Sequence, residues 1–468
     1  MVYHLTTEAP MTIPAALDAL SALLSDRLDT GTALREQHGQ NEGYFPITPP
    51  DAVAYPINTE EVSAIMRICH EHGCPVVAYG TGTSLEGHQL AIYGGIALNF
   101  AKMNKVLAIN AEDMDAVVQP GITREDLNTE LRTTGLFFPV DPGANASIGG
   151  MAATRASGTT AVRYGTMREN VLALEAVLAD GTVIRTGTRA RKSSAGYDLT
   201  HLLVGSEGTL AIITELTVRL QGQPEATSAA TCCFETVDDA VNTVIATIQT
   251  GVPMARIELI DPMMVRGFNV YNGSDLPEKP HLFVEFHGSE TGVGEQAETF
   301  GEIAEGFGAT DFKWATKTED RNALWRMRHQ AHHAAGSLEP GKRTLTTDVC
   351  VPISRLAEAV GKAAEDSKAM GLTCVILGHV GDGNFHTGIR FDPDNADERA
   401  RAMAFSAQLN EQAIALGGTI TGEHGIGIGK MKYMQAQHGH GVDVMRTIKV
   451  AMDPTNILNP GKILPPAA

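Results

Sequence analysis

The residues best suited to chemistry are two histidines in the segment GHVGDGNFH, residues 378–386. An apolar, largely β-branched run precedes this segment, and Asp382-Gly383 is typical of a two-residue type I′ turn, so the pattern predicts a β-hairpin. With that turn His379 lies opposite His386, with Cβ atoms roughly 5 Å apart, and Asn384 shares their face by the two-residue period of a strand. Two adjacent imidazoles are half of a divalent-metal site, and a carboxylate would complete it.

A candidate carboxylate follows in Glu423-His424, inside the glycine-rich segment GEHGIGIGK, residues 422–430. The alternative is a hydrogen-bonded histidine pair that binds nothing, but a hairpin-matched pair together with a glycine-flanked Glu-His favours a site. A zinc hydrolase with Glu423 as its base would need the helical HExxH spacing, and this segment has too many glycines for a helix. Arg328, in a helix predicted to begin near Thr318, could hold a carboxylate with a bidentate fork, although most helical arginines are solvated.

Length and composition set the broad class of the protein. A chain of 468 residues is long for one hydrophobic core, so two domains are expected. The net charge of −19 argues against nucleic acid or anionic membranes as partners, while leaving room for a small anionic substrate in a local positive pocket. No stretch is apolar enough to span a membrane, and the N-terminus does not resemble a signal or transit peptide.

The six cysteines show no CxxC spacing, and Cys69 and Cys350 fall on apolar faces. Buried thiols in a reducing cytoplasm are therefore predicted, with a redox-active pair as the alternative.

Glycine-rich loops dominate the N-terminal half. GTGTSLEGH, residues 80–88, follows the apolar strand PVVAY and exposes several backbone N–H groups, which suits a pyrophosphate. It matches neither the dinucleotide nor the Walker fingerprint, so a tight surface turn is the alternative. Further small-residue loops occur at residues 142–150, after a predicted strand Leu136–Val140, and at 156–160 and 205–208. Several such loops at strand ends predict a long ligand, a dinucleotide, lying across the domain.

These segments, in this order over residues 46 to about 222, resemble the FAD domain of the vanillyl-alcohol oxidase and p-cresol methylhydroxylase superfamily. The resemblance implies that the first loop holds the pyrophosphate and that later loops line the ribityl chain and isoalloxazine. No residue for covalent attachment of the flavin is evident, so dissociable FAD is expected; His88 is the one residue at which a covalent attachment is left open. The implied FAD-binding residues are Gly80, Thr81, Gly82, Thr83, Ser84, Leu85, Pro142, Gly143, Ser147, Gly149, Gly150, Ser157, Gly158, Glu207, Gly208, Ile212 and Asn459.

The C-terminal half narrows the resemblance to one family of this superfamily, over nearly the whole chain except its first forty or so residues. Residues 341–356 (GKRTLTTDVCVPISRL), HVGDGNFH, GEHGIGIGK and the tail DPTNILNPGKIL are similar to FAD-linked D-2-hydroxyacid dehydrogenases, most of all the cytochrome-type D-lactate dehydrogenases. D-2-hydroxyglutarate dehydrogenases and the glycolate oxidase flavin subunit are near relatives. The resemblance implies a role for each matching residue: metal ligands His379, His386 and Glu423, base His424, polar contact Asn384 and carboxylate clamp Arg328.

One departure from the hydroxyglutarate enzymes bears on the substrate. Thr346 stands where those enzymes have a lysine that helps to hold the acid groups, and His332 lies one helical turn after Arg328. A second substrate carboxylate would have less support, which favours a monocarboxylate.

The predicted architecture is an α+β, two-domain flavoprotein: an N-terminal helical extension (1–45) with a helix at Ile13–Leu24, a p-cresol methylhydroxylase-type FAD domain (46–222), and a substrate and metal domain (223–468) built on an antiparallel sheet with helices. The predicted activity is oxidation of a D-2-hydroxy acid, D-lactate favoured, with hydride passing to the flavin N5.

Zinc, manganese or iron suits the two histidines and glutamate. The chain has no haem or iron–sulfur motif, so a separate acceptor is implied: a cytochrome, a quinone or an electron-transfer flavoprotein. The expected location is the cytoplasm, and a homodimer and attachment to the periphery of the inner membrane are left open. The intact set of histidines, glutamate and arginine argues against an inactive flavin-binding module.

Overall fold

The computed structural model describes residues 12–315 and 317–466. They form two compact units. The first unit comprises residues 12–157, 165–223 and 423–466, and the second comprises 158–164 and 224–422. Residues 1–11 of the predicted N-terminal extension lie outside the described residues, while its helix at Ile13–Leu24 has the predicted bounds. The three predicted domain ranges, 1–45, 46–222 and 223–468, remain a prediction.

The strands are numbered in chain order. They are β1 Leu28–Asp29, β2 Ala52–Ala54, β3 Val76–Tyr79, β4 Ile96–Asn99, β5 Val106–Asn110, β6 Asp115–Val118, β7 Leu136–Phe137, β8 Val171–Val177, β9 Val183–Gly187, β10 Ile212–Arg219, β11 Gln221–Gly222, β12 Ala226–Cys233, β13 Met254–Ile260, β14 His281–Gly288, β15 Thr310–Ala315, β16 Arg343–Thr346, β17 Val349–Cys350, β18 Cys374–His379 and β19 Asn384–Phe391. The predicted strand Leu136–Val140 is wrong in length, since only its first two residues pair, with β11.

The helices follow the same numbering. They are α1 Ile13–Leu24, α2 Thr32–His38, α3 Thr59–Glu71, α4 Arg124–Glu130, α5 Ile148–Thr154, α6 Ala161–Tyr164, α7 Met167–Asn170, α8 Leu199–Leu203, α9 Val237–Gln249, α10 Pro262–Asn272, α11 Glu290–Gly306, α12 Thr318–His329, α13 Ala331–Leu338, α14 Leu356–Ala369, α15 Ala396–Ala415, α16 Met434–His438 and α17 Gly441–Met452. Short 3₁₀ turns lie at Ser25–Arg27, Phe100–Lys102, Leu131–Thr133, Ile353–Arg355 and Met431–Tyr433. In the part of the chain with described coordinates, no helix is long and apolar enough to cross a bilayer.

The first unit contains two main sheets. One has the strand order β1-β2-β4-β3, with β2, β4 and β3 parallel, and the other is an antiparallel sheet of order β5-β6-β10-β8-β9. Helix α3 packs its apolar stripe of Val62, Ile65, Met66 and Cys69 into one core. The C-terminal tail joins the same core, because Leu458 forms a parallel bridge with Val76 of β3. The residues just before the first glycine loop are therefore held on two sides.

The second unit is built on an eight-stranded antiparallel sheet. Its order is β15-β12-β14-β13-β18-β19-β16, and β17 also pairs with β19. Glu258 of β13 is opposite His379 of β18, and Arg256 of β13 is opposite Glu285 of β14. Since side chains alternate between faces with a period of two, these four charged or polar groups share one face of the sheet.

Helix α12 covers this polar face, and apolar packing covers the other. On the polar face, Arg328 of α12 bonds Glu258 and Trp325 of α12 bonds Glu285. On the opposite face Phe286 of β14 packs against Phe300 of α11, with ring centroids 5.8 Å apart. The sheet thus gathers buried charge on a single side.

All six cysteines are free thiols, and five are buried. Cys350 is the exception: it is partly exposed, and its Sγ lies 3.3 Å from the carbonyl oxygen of Asp382. The prediction that Cys350 is buried is wrong: its side chain stays partly exposed, although its backbone pairs with Asn384 on one side and with Thr419 on the other.

Candidate active site

The two histidines of the hairpin lie side by side. Their rings are nearly perpendicular, at 81°, with centroids 5.5 Å apart, and each offers a ligand nitrogen within 4.8 Å of the other's. Both side chains are buried. The predicted shared face is therefore present.

The predicted turn is wrong. Leu377 pairs with His386, so the register differs by two residues from one in which His379 faces His386. The loop contains the four residues between His379 and Asn384, and Gly383 has a positive φ of 78° whereas Asp382 does not, which excludes a type I′ turn. A shift of two residues leaves every side chain on its original face, so the two imidazoles still meet diagonally.

The same ring nitrogen, Nδ1, of both histidines forms a hydrogen bond within the second unit. His379 Nδ1 lies 2.5 Å from Glu258 Oε1, and His386 Nδ1 lies 3.2 Å from the carbonyl oxygen of Thr347. Both partners are acceptors, so each Nδ1 donates a proton, and in the neutral form of each ring the lone pair is then on Nε2. Metal-binding histidines are commonly oriented in this way by a carboxylate or a carbonyl.

Glu258 joins His379 to Arg328. Its second oxygen, Oε2, accepts from Nε of Arg328 at 2.8 Å and from Nη2 at 2.7 Å. The carboxylate is fully buried. Burial raises the pKa of Glu258, but the opposing effects of His379 and Arg328 are larger and lower it to about 2. The carboxylate is therefore an anion at neutral pH. Arg328 therefore has a buried counter-ion that the sequence did not predict.

Asn384 belongs to a second hydrogen-bonded group in the same unit. Its Nδ2 donates to Asp348 Oδ1 at 2.7 Å and to the carbonyl oxygen of Val349 at 2.8 Å. Its Oδ1 is buried and has no hydrogen-bond donor among the described residues. The other oxygen of Asp348 accepts from the Thr421 hydroxyl at 2.6 Å and from the Gly422 backbone at 2.9 Å. Asp348 thus fixes the backbone immediately before Glu423.

Glu423 and His424 begin the chain segment that belongs to the first unit. Both are partly buried, and His424 Nε2 lies 4.0 Å from Glu423 Oε1. Within the second unit, the structure brings together His379, His386, Asn384 and, through Glu258, Arg328. The roles assigned to Glu423 and His424 remain predictions.

In the first unit, the loop that follows β3 has the properties of a cofactor cradle. A Cβ atom on Gly80 would lie 2.2 Å from Ser147 Oγ, so the loop and the start of α5 approach too closely for a side chain. Ser147 Oγ is buried without a hydrogen-bond partner among the described residues. In the loop before α5, a Cβ atom on Gly143 would meet nothing within 4 Å. A close backbone approach and an orphaned buried hydroxyl fit a polar ligand, and the residues therefore fit FAD.

The other predicted FAD-binding residues differ in exposure. Within the first loop, Thr81 is exposed, while Gly82, Thr83, Ser84 and Leu85 are half-buried. Pro142, Gly150 and Ser157 are half-buried, and Gly149, Gly208 and Ile212 are buried, with Ile212 inside an apolar core. Gly158 falls in the second unit.

Glu207 has an internal role that the sequence did not indicate. Its carboxylate accepts from the backbone N–H groups of Ile426 at 2.6 Å and Gly427 at 2.8 Å, and it lies 3.2 Å from His88 Nε2. Burial raises the pKa of Glu207, but His88 and the two backbone donors lower it to below its usual value. The side chain of Glu207 is therefore committed to joining two loops of the first unit.

Asn459 connects the tail to the same loops. Its Nδ2 donates to the carbonyl oxygens of His88 at 3.1 Å and Glu207 at 2.8 Å, and its Oδ1 accepts from Lys462 at 3.2 Å. Burial lowers the pKa of Lys462 to about 8, against the opposing effect of the Glu207 charge. Asn459 thus holds the cradle through its side-chain amide.

The fold and the glycine cradle define a two-domain flavoprotein of the p-cresol methylhydroxylase type, as predicted. The structure superposes on p-cresol methylhydroxylase with substrate bound at a TM-score of 0.80 and 19% identity, covering 96% of each chain. An alkyldihydroxyacetonephosphate synthase gives a TM-score of 0.73 at 19% identity, over 97% of this chain and 85% of that one. These likenesses establish the fold.

The chain belongs to the family of FAD-linked oxidases. The family described as "FAD linked oxidases, C-terminal domain" matches residues 223–463, and "FAD binding domain" matches residues 50–187. A probable mitochondrial D-lactate dehydrogenase of Danio rerio is 49% identical, over 93% of this chain and 89% of the relative. The mitochondrial D-lactate dehydrogenase [cytochrome] of Arabidopsis thaliana is 45% identical over 96% and 80%. The glycolate oxidase subunit GlcD of Bacillus subtilis is 38% identical over 88% and 89%.

Proposed function

We propose that this FAD-linked oxidoreductase oxidises a D-2-hydroxy acid, D-lactate above others, to the 2-oxo acid. The observation that carries the proposal is the buried pair His379 and His386, which present both Nε2 atoms on the face of the sheet where Glu258 holds Arg328. The family membership supplies FAD as the hydride acceptor. The names of the relatives from Danio rerio and Arabidopsis thaliana support D-lactate as the substrate.

His379, His386 and Glu423 are proposed to bind a divalent ion of zinc, manganese or iron. Glu423 follows directly on Gly422, whose backbone Asp348 fixes. Two neutral imidazoles and a carboxylate are the donor set of open catalytic sites, and a bound ion would supply Lewis-acid stabilisation of the substrate oxygens.

The residues of the chain have separate tasks in this proposal. His424 takes the proton of the substrate hydroxyl as a general base. Asn384 offers its buried Oδ1, which has no donor of its own among the described residues, as an acceptor close to the histidines. Arg328 holds the substrate carboxylate with the donors that Glu258 does not use, and so determines which face of the α-carbon is presented.

Arg328 also bears on the choice of substrate. Its charge is already matched by Glu258, and a lone carboxylate needs only the remaining N–H groups. With Thr346 and His332 at the neighbouring predicted positions, a second carboxylate would have less support than in the hydroxyglutarate enzymes. This supports a monocarboxylate and weighs against D-2-hydroxyglutarate, while the GlcD relative keeps glycolate as the second candidate.

The proposed electron acceptor is a separate cytochrome, in keeping with the bracketed name of the Arabidopsis relative; a quinone or an electron-transfer flavoprotein is the alternative. A homodimer and a cytoplasmic location remain predictions, and the names of several relatives include the word mitochondrial.

The test is a substrate panel read by flavin absorbance. Purified protein is mixed anaerobically with D-lactate, L-lactate, glycolate or D-2-hydroxyglutarate, before and after prolonged dialysis against a chelator. We expect D-lactate to bleach the flavin bands fastest, L-lactate to leave them unchanged, and chelation to abolish bleaching without releasing FAD. Faster bleaching by glycolate would replace the proposed substrate, and unchanged bleaching after chelation would refute the metal.

A further inference from the structure

Two buried carboxylates on the polar face of the second unit have closely similar surroundings. Glu258 and Glu285 lie on adjacent strands, and neither side chain has appreciable exposure. Glu258 bonds a histidine and an arginine, His379 and Arg328. Only one of the two carboxylates therefore contacts a proposed metal ligand.

The surroundings of Glu285 match those of Glu258 in kind. Glu285 accepts from His287 Nε2 at 2.8 Å and from Trp325 Nε1 at 2.5 Å, and lies 3.3 Å from Nη1 of Arg256. The chain thus contains a matched control for any effect of removing a buried charge from this sheet.

We propose that Glu258 is a positioning residue that sets the tautomer of His379, so that its Nε2 lone pair is available to a divalent metal. This rests on the proposed function, because it takes His379 as a metal ligand. Arg328 contributes by binding the Oε2 atom of Glu258 through two N–H groups, which prevents the carboxylate from turning away from His379.

The tautomer follows from the number of donors that meet at Glu258. His379 and Arg328 both donate to it, and a carboxylate can accept from both. A glutamine at this position would have one oxygen and one NH₂ group. The positively charged guanidinium of Arg328 would take the oxygen, because hydrogen bonds to an ion are the stronger ones. The NH₂ group would then face His379 Nδ1, and the imidazole proton would move to Nε2, the atom needed for the metal.

Zn²⁺ titration of the purified, chelator-stripped protein tests this proposal, with free Zn²⁺ set by a competing chromophoric chelator. Glu258→Gln is expected to weaken Zn²⁺ binding by roughly 10- to 100-fold, the usual effect of removing the partner of a ligating histidine. Glu285→Gln is expected to bind Zn²⁺ within about twofold of the wild type, because it lies outside this set of contacts.

A double variant separates the tautomer from general damage to the fold. In Glu258→Gln with Arg328→Met, the guanidinium no longer competes for the amide oxygen, which is free to face His379 Nδ1. Zn²⁺ affinity should then recover to within about threefold of the wild type, a non-additive result that a purely structural role would not produce. Equal weakening in the single and double variants, or a single variant that behaves like Glu285→Gln, overturns the proposal.

A measurement on the wild type keeps the proposal testable if Glu258→Gln does not fold. In the metal-free protein, ¹⁵N NMR of the imidazoles should find His379 protonated at Nδ1, and a proton on Nε2 overturns the proposal. A wild-type protein that binds none of Zn²⁺, Mn²⁺ and Fe²⁺ overturns the metal site of the proposed function as well, whereas normal Zn²⁺ binding with unaffected variants overturns this inference alone.

Discussion

Glycine is required at position 427 both by its backbone conformation and by the closeness of a neighbouring loop. Its φ is 48°, and a Cβ atom there would lie 2.1 Å from the backbone oxygen of Glu86 and 2.7 Å from its carbonyl carbon. Its N–H also donates to Glu207 Oε2 at 2.8 Å. Gly427→Ala must therefore strain its own backbone and push two loops of the first unit apart.

The expected cost is the sum of three contributions. A left-handed conformation costs alanine about 1–2 kcal/mol, and overpacking against a backbone atom that cannot rotate away costs about 1–3 kcal/mol. Loss of a hydrogen bond to the charged Glu207 costs about 1.5–3 kcal/mol. The free energy of unfolding should fall by roughly 4–8 kcal/mol in Gly427→Ala.

Gly135 is the matched control. It lies in the same unit with a φ of 73°, but a Cβ atom there would meet nothing within 4 Å. In Gly135→Ala the free energy of unfolding should therefore fall only by the cost of the left-handed conformation, about 1–2 kcal/mol. Both variants are unfolded in denaturant after removal of the flavin, so that ligand binding does not contribute to stability. A difference between the two variants of less than about 1 kcal/mol would refute the steric reasoning.

Two further predictions concern buried charges. Burial lowers the pKa of Lys462 from 10.5 to about 8, so between these two pH values the unfolded chain binds one more proton than the folded protein. The free energy of unfolding of the wild type, measured by denaturant titration relative to Lys462→Met, should therefore rise by about 3 kcal/mol from pH 8 to pH 10.5. A difference between the two proteins that does not change with pH would contradict this pKa. Asp348→Asn places an NH₂ group against the donors of Thr421 and Gly422 or against the donor of Asn384. The free energy of unfolding should therefore fall by about 2–4 kcal/mol in the same assay. An unchanged denaturation midpoint would show that these donors bind water instead.

The sequence was informative where the signal was local. The two-residue period placed His379 and His386 on one face, and that result survived the wrong turn type because the register error was an even number of residues. The Asp-Gly pair was misleading because Gly383 takes its positive φ within a four-residue loop, where a Cβ atom would lie 2.1 Å from the backbone oxygen of Val351. Such a contact between distant segments cannot be predicted from a dipeptide.

Glu258 shows why the surroundings of the site were missed. It is 121 residues from His379 in the chain, and only the sheet order that places β13 beside β18 brings them together. A local signal was nevertheless present, since Glu258 is a carboxylate between Ile257 and Leu259 in a strand whose other charged residue is Arg256. A carboxylate in such a place must have a buried partner, because an unpaired one would be too costly.

The return of the tail to the first unit has a consequence for how the protein is made. Val76, at the start of the strand that leads into the first glycine loop, bonds Ile457 and Asn459 on either side of Leu458, and the Asn459 side chain bonds His88 and Glu207. During synthesis this part of the first unit must wait for the whole of the second unit to leave the ribosome. A fragment that ends near residue 222 would present β3 to solvent as an unpaired edge, a hazard for aggregation. The cofactor cradle is consequently among the last parts of the chain to be completed.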